Sequence, residues 1–210
     1  MQVLYADDRV FVCVKPAGVL STDEAGGMPS LIRAYLGDEK AVVKTVHRLD
    51  RVVGGVMVFA RTARAASDLS AQIREGSFHK EYRAVLPSIP EEPEGSLLDY
   101  LIRNKAERKT YIVDSSYPVA QEARLDYEVL NNAGGMSLVK VILHTGRTHQ
   151  IRCQFAGRGL PLLGDGKYGG GGECETALWS YCVAFNHPRT GERMTFTAEP
   201  PGDYPWDLLI

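Results

Sequence analysis

The longest uninterrupted apolar stretch of this chain, Val52–Ala60, has only nine residues even when its two glycines are counted. A membrane-spanning helix needs roughly 20 apolar residues, so this stretch is too short for one. Its last five residues instead predict a buried strand over Val56–Ala60. The 210-residue chain is 44% apolar and 24% charged, which are ordinary values for a globular protein. We therefore expect one globular domain, residues 1–210, with a substantial core and no membrane span.

The pattern on either side of this stretch predicts a mixed α+β fold with mainly antiparallel strands. Thr62 can begin a helix that ends at Gly76, because apolar residues between them recur at helical spacing. A short helix is expected from Ser30 to Tyr35 and another over residues 148–155. Strands are predicted at the positions that follow: residues 3–5, 10–14, 79–86, 122–130, 136–144, 178–185 and 193–198.

Two turn signals and one Pro-rich segment organise the second part of the chain. The runs Asn131–Gly135 and His187–Gly191 each join two strand-like segments and predict hairpins. Residues 87–96 are rich in Pro, Glu and Gly and read as an internal linker. This linker divides the expected single domain into lobes of roughly residues 1–95 and 96–210.

The four cysteines, Cys13, Cys153, Cys174 and Cys182, include no pair at CxxC spacing. The lack of this spacing argues against a zinc site, and we predict no bound metal. No signal peptide is recognisable at the N-terminus, so we expect a cytoplasmic protein with reduced thiols, several of them in the core. A monomer is the default expectation.

Basic residues are concentrated in three segments although the net charge is only −2. Residues 44–64 contain five basic residues against one aspartate, residues 140–167 again five against one, and residues 103–109 four against one glutamate. If the segments converge on one face, that face can bind a polyanion. The alternative is three separate solvated faces.

The first basic segment contains the sequence His47-Arg48-Leu49-Asp50-Arg51 directly before the apolar stretch. Aspartate is ordinarily ionised at neutral pH, and an ionised carboxylate can act as a nucleophile or a base. The flanking arginines suit phosphate, because a guanidinium offers a planar fork of donors. The cluster predicts acid-based chemistry on a phosphate-bearing substrate. The alternative is a turn with solvated charges that leads into a buried strand.

Two further clusters could supply the remaining parts of a site. In Lys80–Ala84, a strand would place Tyr82 on the same side as Lys80, where its ring could stack on a base or its hydroxyl share a proton. An ordinary half-buried tyrosine is the alternative. Residues 143–169 contain His149 and Arg152. Because no second ligand lies at metal spacing, we expect a hydrogen-bonded or RNA-facing histidine.

Taken together, these clusters resemble the RluA-type pseudouridine synthase family, which acts on ribosomal large-subunit or transfer RNA. The family motifs HRLD, K-x-Y-x-A, G-R-x-H-Q-I-R and L-G-D-x-x-Y-G correspond to His47–Asp50, Lys80–Ala84, Gly146–Arg152 and Leu163–Gly169. The segments Lys15–Gly18 and His187–Glu192 also resemble family stretches. The resemblance extends from about residue 3 to residue 200.

The resemblance implies a pseudouridine synthase fold, with a mixed, mainly antiparallel sheet in two lobes that flank an RNA-binding cleft. It implies an isomerase that converts uridine to pseudouridine in structured RNA without a cofactor, with ribosomal RNA expected ahead of transfer RNA. Asp50 would be the catalytic aspartate, Tyr82 would pack on the target base, and Arg152 would pair with Asp50. Arg48 would fill the gap left by the extruded base. The predicted RNA contacts are His47, Arg48, Lys80, Arg147 and His149.

Two features depart from the usual family pattern. Val53-Gly54 stands where the family has Thr-Ser, which removes two hydroxyls near Asp50. No separate S4-type RNA-binding domain is expected, because the catalytic pattern starts near residue 3. Because of the Val53-Gly54 replacement, an alternative interpretation stays open: a synthase-like RNA-binding or RNA-folding protein with little catalysis. A hydrolase that uses Asp50 covalently is a further alternative.

Overall fold

In the computed structural model, which describes Met1–Ile210, the chain divides into two compact units. The first unit consists of Met1–Lys80 and Ser180–Pro200, and the second of Glu81–Trp179 and Pro201–Ile210. These boundaries differ from the predicted lobes 1–95 and 96–210. The difference arises because the segment after residue 180 forms strands in the sheet of the first unit, a long-range pairing that the local sequence pattern does not reveal.

The fold is mixed α+β, with mostly antiparallel sheet and few helices. The elements in chain order are β1 (Gln2–Ala6), β2 (Val10–Lys15), α1 (Met28–Leu36), β3 (Lys44–Thr45), β4 (Gly54–Ala60), α2 (Ala63–Glu75), β5 (His79–Leu86), β6 (Glu94–Asn104), β7 (Lys109–Val113), β8 (Gln121–Ala133), β9 (Met136–Leu143), α3 (Gln150–Ala156), β10 (Leu178–Asn186), β11 (Arg193–Thr197) and a 3₁₀ turn (Trp206–Leu208).

The first unit is organised around β4, every residue of which is buried. Its strand order is β1-β2-β4-β10, with β11 paired to β10 and β3 paired to β4. Helix α2 covers this sheet through Ala65 and Leu69, which join the buried valines of β2 and β4 in one core cluster. The predicted limits of α2 are confirmed: the Thr62 side chain accepts a hydrogen bond from the Ala65 N–H, and Gly76 ends the helix in the left-handed conformation.

The second unit has the strand order β5-β9-β8-β6-β7. The predicted hairpin between β8 and β9 is confirmed, but its turn is tighter than expected. Only Gly134 and Gly135 lie outside the strands, and both have positive φ, as a two-residue turn requires. The short helix α3 contacts β6 and β7 and confirms the helix expected over residues 148–155.

Two local predictions are corrected by the structure, and one hairpin is present that the sequence did not predict. Helix α1 begins at Met28, after Gly27, and not at Ser30, since Pro29 is tolerated in the first helical turn. The segment 87–96 is not a linker between units, because residues 87–93 form a loop within the second unit and β6 begins at Glu94. The β6–β7 hairpin was not predicted, and its turn contains no glycine; Arg108 takes the left-handed conformation with φ 52°.

All four cysteines are free thiols, and Cys13, Cys153 and Cys182 are buried, as expected from the sequence. Burial raises the pKa of Cys13 to about 12, so this thiol is unreactive. None of the helices combines the length and apolar character that a membrane crossing requires.

Candidate active site

Asp50 lies in a short connection between β3 and β4 of the first unit and is half-buried. Its carbonyl oxygen accepts a hydrogen bond of 3.0 Å from the Val53 N–H. This bond closes a turn with Arg51 and Val52 at its corners. The turn leads directly into β4, so the aspartate is held at the mouth of the most buried strand of the unit.

The residue before Asp50 is fixed by a serine from a distant loop. The Ser21 hydroxyl donates to the Leu49 carbonyl at 2.8 Å and accepts from the Leu49 N–H at 3.1 Å. Both residues are buried. Thr45 at the end of β3 in turn donates from its hydroxyl to the Ser21 carbonyl. A single side chain thus satisfies both backbone groups of Leu49, as a neighbouring strand would.

The residue after Asp50 is fixed by the segment Lys15–Gly18. The fully buried Lys15 ammonium donates to the carbonyls of Pro16, Val19 and Arg51 at 2.9, 2.7 and 3.2 Å. Gly18 donates from its N–H to the Arg51 carbonyl at 2.8 Å and accepts from the Arg51 Nε at 2.9 Å. Arg51, which had no predicted role, therefore braces the loop, and Asp50 is held on both sides.

His47 is turned inward. Its Nε2 accepts a hydrogen bond from the Val58 N–H at 3.0 Å, and its ring packs on Phe78 with centroids 5.4 Å apart. Burial, followed by the positive charge of Lys80, lowers the pKa of His47 to about 3. The ring is therefore neutral at physiological pH and holds the loop to β4. Lys80 is itself buried, whereas Arg48 is exposed. RNA contact by each of these three residues stays a prediction.

The departure Val53-Gly54 adjoins a close approach of two backbones. Val53 is buried, so a valine fits this position without exposing its methyl groups. The next residue, Gly55, has φ +118°, and a Cβ there would lie 2.3 Å from the Ser180 carbonyl oxygen. Position 55 therefore accepts only glycine, which explains why the glycine of the family motif is kept here.

In the second unit, Tyr82 occupies β5 opposite Val141 of β9. The predicted alternation is confirmed, because Lys80, Tyr82 and Ala84 are buried while the residues between them are half-buried. Tyr82 is 6% exposed, so its ring is held by the surrounding structure.

Arg152 lies in α3 and forms a buried bidentate ion pair with Asp165. Its Nε donates to Oδ2 at 2.6 Å and its Nη2 to Oδ1 at 2.7 Å. The two side chains are 5% and 0% exposed. Asp165 belongs to the L-G-D motif, but the motif alone does not predict its pairing with Arg152. The predicted partnership between Arg152 and Asp50 stays a prediction.

Tyr168 lies beside this ion pair and ties several groups together. Its hydroxyl accepts from the Thr110 N–H at 2.8 Å and lies 2.9 Å from Nδ1 of His149. Its ring lies 5.3 Å from the Arg152 guanidinium carbon and 5.1 Å from the Lys109 ammonium, both within cation–π range. Burial raises the pKa of Tyr168 above its ordinary value, so the hydroxyl stays protonated. His149 is thus hydrogen-bonded, one of its two predicted roles.

The start of the Gly146–Arg152 segment is fixed by its own backbone and side chains. The Arg147 Nε donates to the Glu122 carbonyl at 2.8 Å, and the Arg147 N–H donates to the Gln150 side chain. His149 takes the left-handed conformation with φ 55° directly before α3. RNA contact by Arg147 and His149 stays a prediction.

The basic segment 103–109 forms the turn of the β6–β7 hairpin. The Lys167 ammonium donates to the Arg108 carbonyl at 3.2 Å, which attaches the L-G-D-x-x-Y-G loop to this turn. Arg103 lies 3.4 Å from Nδ1 of His149. Two of the three basic segments are therefore in contact within the second unit. The clustering of charge in residues 103–109 was the one sequence signal for this surface.

The structure thus arranges the predicted residues in two groups. The first unit holds His47, Arg48, Asp50 and Lys80; the second holds Tyr82, Arg147, His149 and Arg152. No group of three or more His, Cys, Asp or Glu side chains is arranged to hold a metal ion. Within the first unit, Asp50 is a carboxylate on a doubly fixed loop, and a carboxylate held in this way suits nucleophilic or general-base catalysis. Within the second unit, Arg152 is held by its ion pair and Tyr82 by its burial.

Comparison with known proteins agrees with these features. The model of the RNA pseudouridylate synthase family matches residues 9–157. An uncharacterized RNA pseudouridine synthase of Aquifex aeolicus is 32% identical over 96% of this chain and 70% of its own length. The ribosomal large subunit pseudouridine synthase D of Pseudomonas aeruginosa is 30% identical over 100% of this chain and 71% of its own length.

The solved structure of the human RNA pseudouridylate synthase domain containing 4 has the same fold, with a TM-score of 0.78 at 20% identity. The match covers 95% of this chain and 88% of that chain. The matched region of the family contains the Asp50 loop, β5 and α3, where the predicted catalytic residues lie. The chain therefore belongs to the RluA-type RNA pseudouridine synthase family and is an isomerase of that class.

Proposed function

We propose that this pseudouridine synthase modifies uridine in ribosomal RNA and that Asp50 is its catalytic carboxylate. The choice of ribosomal RNA is supported by relatives named ribosomal large subunit pseudouridine synthase D, which match along nearly the whole chain. The choice of Asp50 is supported by its position on a loop that Ser21 and Lys15 brace from both sides. That bracing is the observation that carries the proposal, because catalysis needs a carboxylate held in one place.

The reaction requires one bond to be exchanged for another. The N-glycosidic bond of uridine breaks, the uracil turns within the site, and a C–C bond forms between the ribose and C5. The C5 proton leaves and the freed ring nitrogen gains one, so no oxidant, reductant or energy source is consumed. Asp50 can begin this sequence as a nucleophile on the ribose or as the base that removes a ribose proton. Both routes use the same ionised carboxylate.

The other predicted residues have roles that fit their surroundings. We assign Tyr82 to packing against the target base, and Arg152 to orienting the Asp50 carboxylate. The exposed Arg48 takes the place of the extruded base in the RNA stack. The basic turn at residues 103–109 contributes phosphate contacts, because its charges lie on an exposed hairpin.

We assign the protein to the cytoplasm as a monomer. The cytoplasmic assignment is supported by the four cysteines, which are free thiols, as expected in a reducing compartment. Size-exclusion chromatography with light scattering at micromolar concentration tests the oligomeric state, and a mass of about twice 23.1 kDa would refute the monomer.

The test maps pseudouridines by carbodiimide-based primer extension in cells with and without this gene. We expect at least one ribosomal site to disappear when the gene is deleted and to return with the wild-type gene. An Asp50→Asn variant should fold, bind RNA and fail to restore the site. Restoration by Asp50→Asn would refute the catalytic assignment. Loss of a transfer RNA site with all ribosomal sites retained would refute the substrate assignment.

A second candidate function is RNA folding with little turnover, and the Val53-Gly54 replacement is the observation that favours it. This candidate predicts that the Asp50→Asn variant rescues any growth defect of the deletion as well as the wild type does. The primary proposal predicts rescue by the wild type alone.

A further inference from the structure

We propose that Asp165 and Tyr168 are positioning residues that hold the Arg152 guanidinium in its working orientation. The inference deepens the proposed function, on which it rests for the role of Arg152. Neither residue contacts the reacting atoms in this assignment, and both act through the arginine.

Asp165 holds one edge of the guanidinium. The bidentate pair uses Nε and Nη2 of Arg152 and does not use Nη1. Because Asp165 has no solvent exposure, water does not compete for its oxygens. Two parallel charge-assisted bonds fix a plane as well as a distance. The guanidinium therefore cannot rotate about its own axis without breaking the pair.

The loop that carries Asp165 is itself rigid. The backbone carbonyl of Asp165 accepts hydrogen bonds from the N–H groups of Tyr168 and Gly170, at 3.1 and 2.9 Å. A Cβ on Gly170 would lie 1.8 Å from the Leu162 carbonyl oxygen, so the backbone closes tightly around Asp165. An aspartate held this way transmits its position to the arginine.

Tyr168 restrains the face of the same guanidinium. Its ring lies 5.3 Å from the guanidinium carbon, and its hydroxyl is anchored to the backbone of Thr110 in β7. The ring is thus attached to the hairpin whose turn carries the basic segment 103–109. Asp165 holds one edge of the guanidinium and Tyr168 covers one face, and we call this pair of residues the clamp. By fixing the plane of the guanidinium, the clamp sets the direction in which Nη1 points, away from Asp165. An arginine held in advance loses less freedom when it acts on its target.

The experiment compares the steady-state kinetics of Asp165→Asn and Tyr168→Phe with those of the wild type, on a ribosomal RNA fragment that contains the mapped site. Asp165→Asn keeps the shape of the side chain and removes its charge. We expect kcat to fall roughly 10- to 100-fold, the range expected for a misplaced catalytic group, while KM changes less than threefold. Tyr168→Phe keeps the ring, removes its hydroxyl bonds and should lower kcat by a smaller factor.

Asp99→Asn is the matched control. Asp99 forms an ion pair of 2.8 Å with Arg158, which lies in the same unit just beyond the end of α3. The proposal gives Asp99 no part in holding Arg152. Asp99→Asn should lower the melting temperature without changing kcat. A structural role alone would make Asp165→Asn behave like Asp99→Asn, with unchanged kcat for the folded fraction, and would overturn the proposal.

A double variant separates positioning from independent catalysis. If Asp165 acts only through Arg152, adding Asp165→Asn to Arg152→Met should not lower kcat below that of Arg152→Met alone. Losses that multiply would overturn the proposal, as would unchanged kcat in Tyr168→Phe should Asp165→Asn fail to fold. Asp50→Asn is measured in parallel. Activity retained there refutes the proposed function, whereas activity lost there but kept in Asp165→Asn refutes the clamp alone.

Discussion

Replacing Ser21 by alanine should weaken both the fold and the reaction, because the Ser21 hydroxyl is the group that binds the backbone next to Asp50. The change removes two buried hydrogen bonds, of 2.8 and 3.1 Å, to the carbonyl and N–H of Leu49. Each is worth about 0.5–1.5 kcal/mol net. We therefore expect the free energy of unfolding to fall by about 2 kcal/mol.

This loss can be measured by thermal unfolding. For a protein of this length, about 2 kcal/mol corresponds to a decrease in Tm of about 4–8 °C. The loop should also lose its fixed geometry, so kcat on the mapped RNA site should fall roughly tenfold or more with little change in KM. The matched control is Ser67→Ala on the exposed surface of α2. Its free energy of unfolding should change by less than about 0.5 kcal/mol.

The combination of the two measurements is what can refute the reasoning. A Ser21→Ala protein that melts at the wild-type temperature with wild-type kcat would show that Ser21 does not hold the loop. A lower Tm with unchanged kcat would show that the serine supports the fold but that Asp50 does not depend on it.

Three further predictions follow from groups around the same sites. Val53→Thr places a hydroxyl at a buried apolar position. The free energy of unfolding should therefore fall by about 1–3 kcal/mol, with a lower Tm and an unchanged kcat. A higher kcat would show that a hydroxyl at this position aids catalysis. Because the pKa of His47 is lowered from 6.5 to about 3 in the folded protein, the unfolded state takes up this proton first as the pH falls, and stability should decline below about pH 6.5. Urea titrations between pH 6.5 and 4 should give a shallower decline for His47→Gln, and equal slopes would contradict the burial of a neutral ring. Replacing Lys105 and Arg108 together by glutamine should weaken RNA binding and reduce the steepness of log affinity against log salt concentration by about 1–2. The control Lys40→Gln, at an exposed position, should leave the affinity and the slope unchanged. An unaltered slope in the double variant would exclude the hairpin from the RNA interface.

Elements with local signals could be predicted from the sequence. Helix α2 has its cap at Thr62 and its stop at Gly76, and the turn between β8 and β9 has two glycines at the positions where φ is positive. Each of these features depends on a few consecutive residues. The motif around Asp50 could be recognised for the same reason, and the family assignment follows from several such motifs in order.

Features that depend on distant partners could not be predicted. The turn of the β6–β7 hairpin places Arg108, not glycine, in the left-handed conformation, so the usual signal is missing. The Ser21 contacts with Leu49 join residues 28 positions apart. The pairing of Arg152 with Asp165 depends on how a glycine-rich loop closes. In each case the residues were visible, but their partners are chosen by the tertiary structure.

The chain order of the two units has a consequence for biosynthesis. The first unit needs Ser180–Pro200 to complete its sheet, since β10 is the neighbour of β4 and carries β11. During translation the fully apolar β4 must therefore wait for about 120 further residues, roughly 6–24 s at ordinary elongation rates of 5–20 residues per second. The second unit is almost continuous in sequence and can close during that interval. We expect the nascent N-terminal segment to be the part of this enzyme that most depends on chaperones, and a ribosome stalled before residue 180 to display it unfolded.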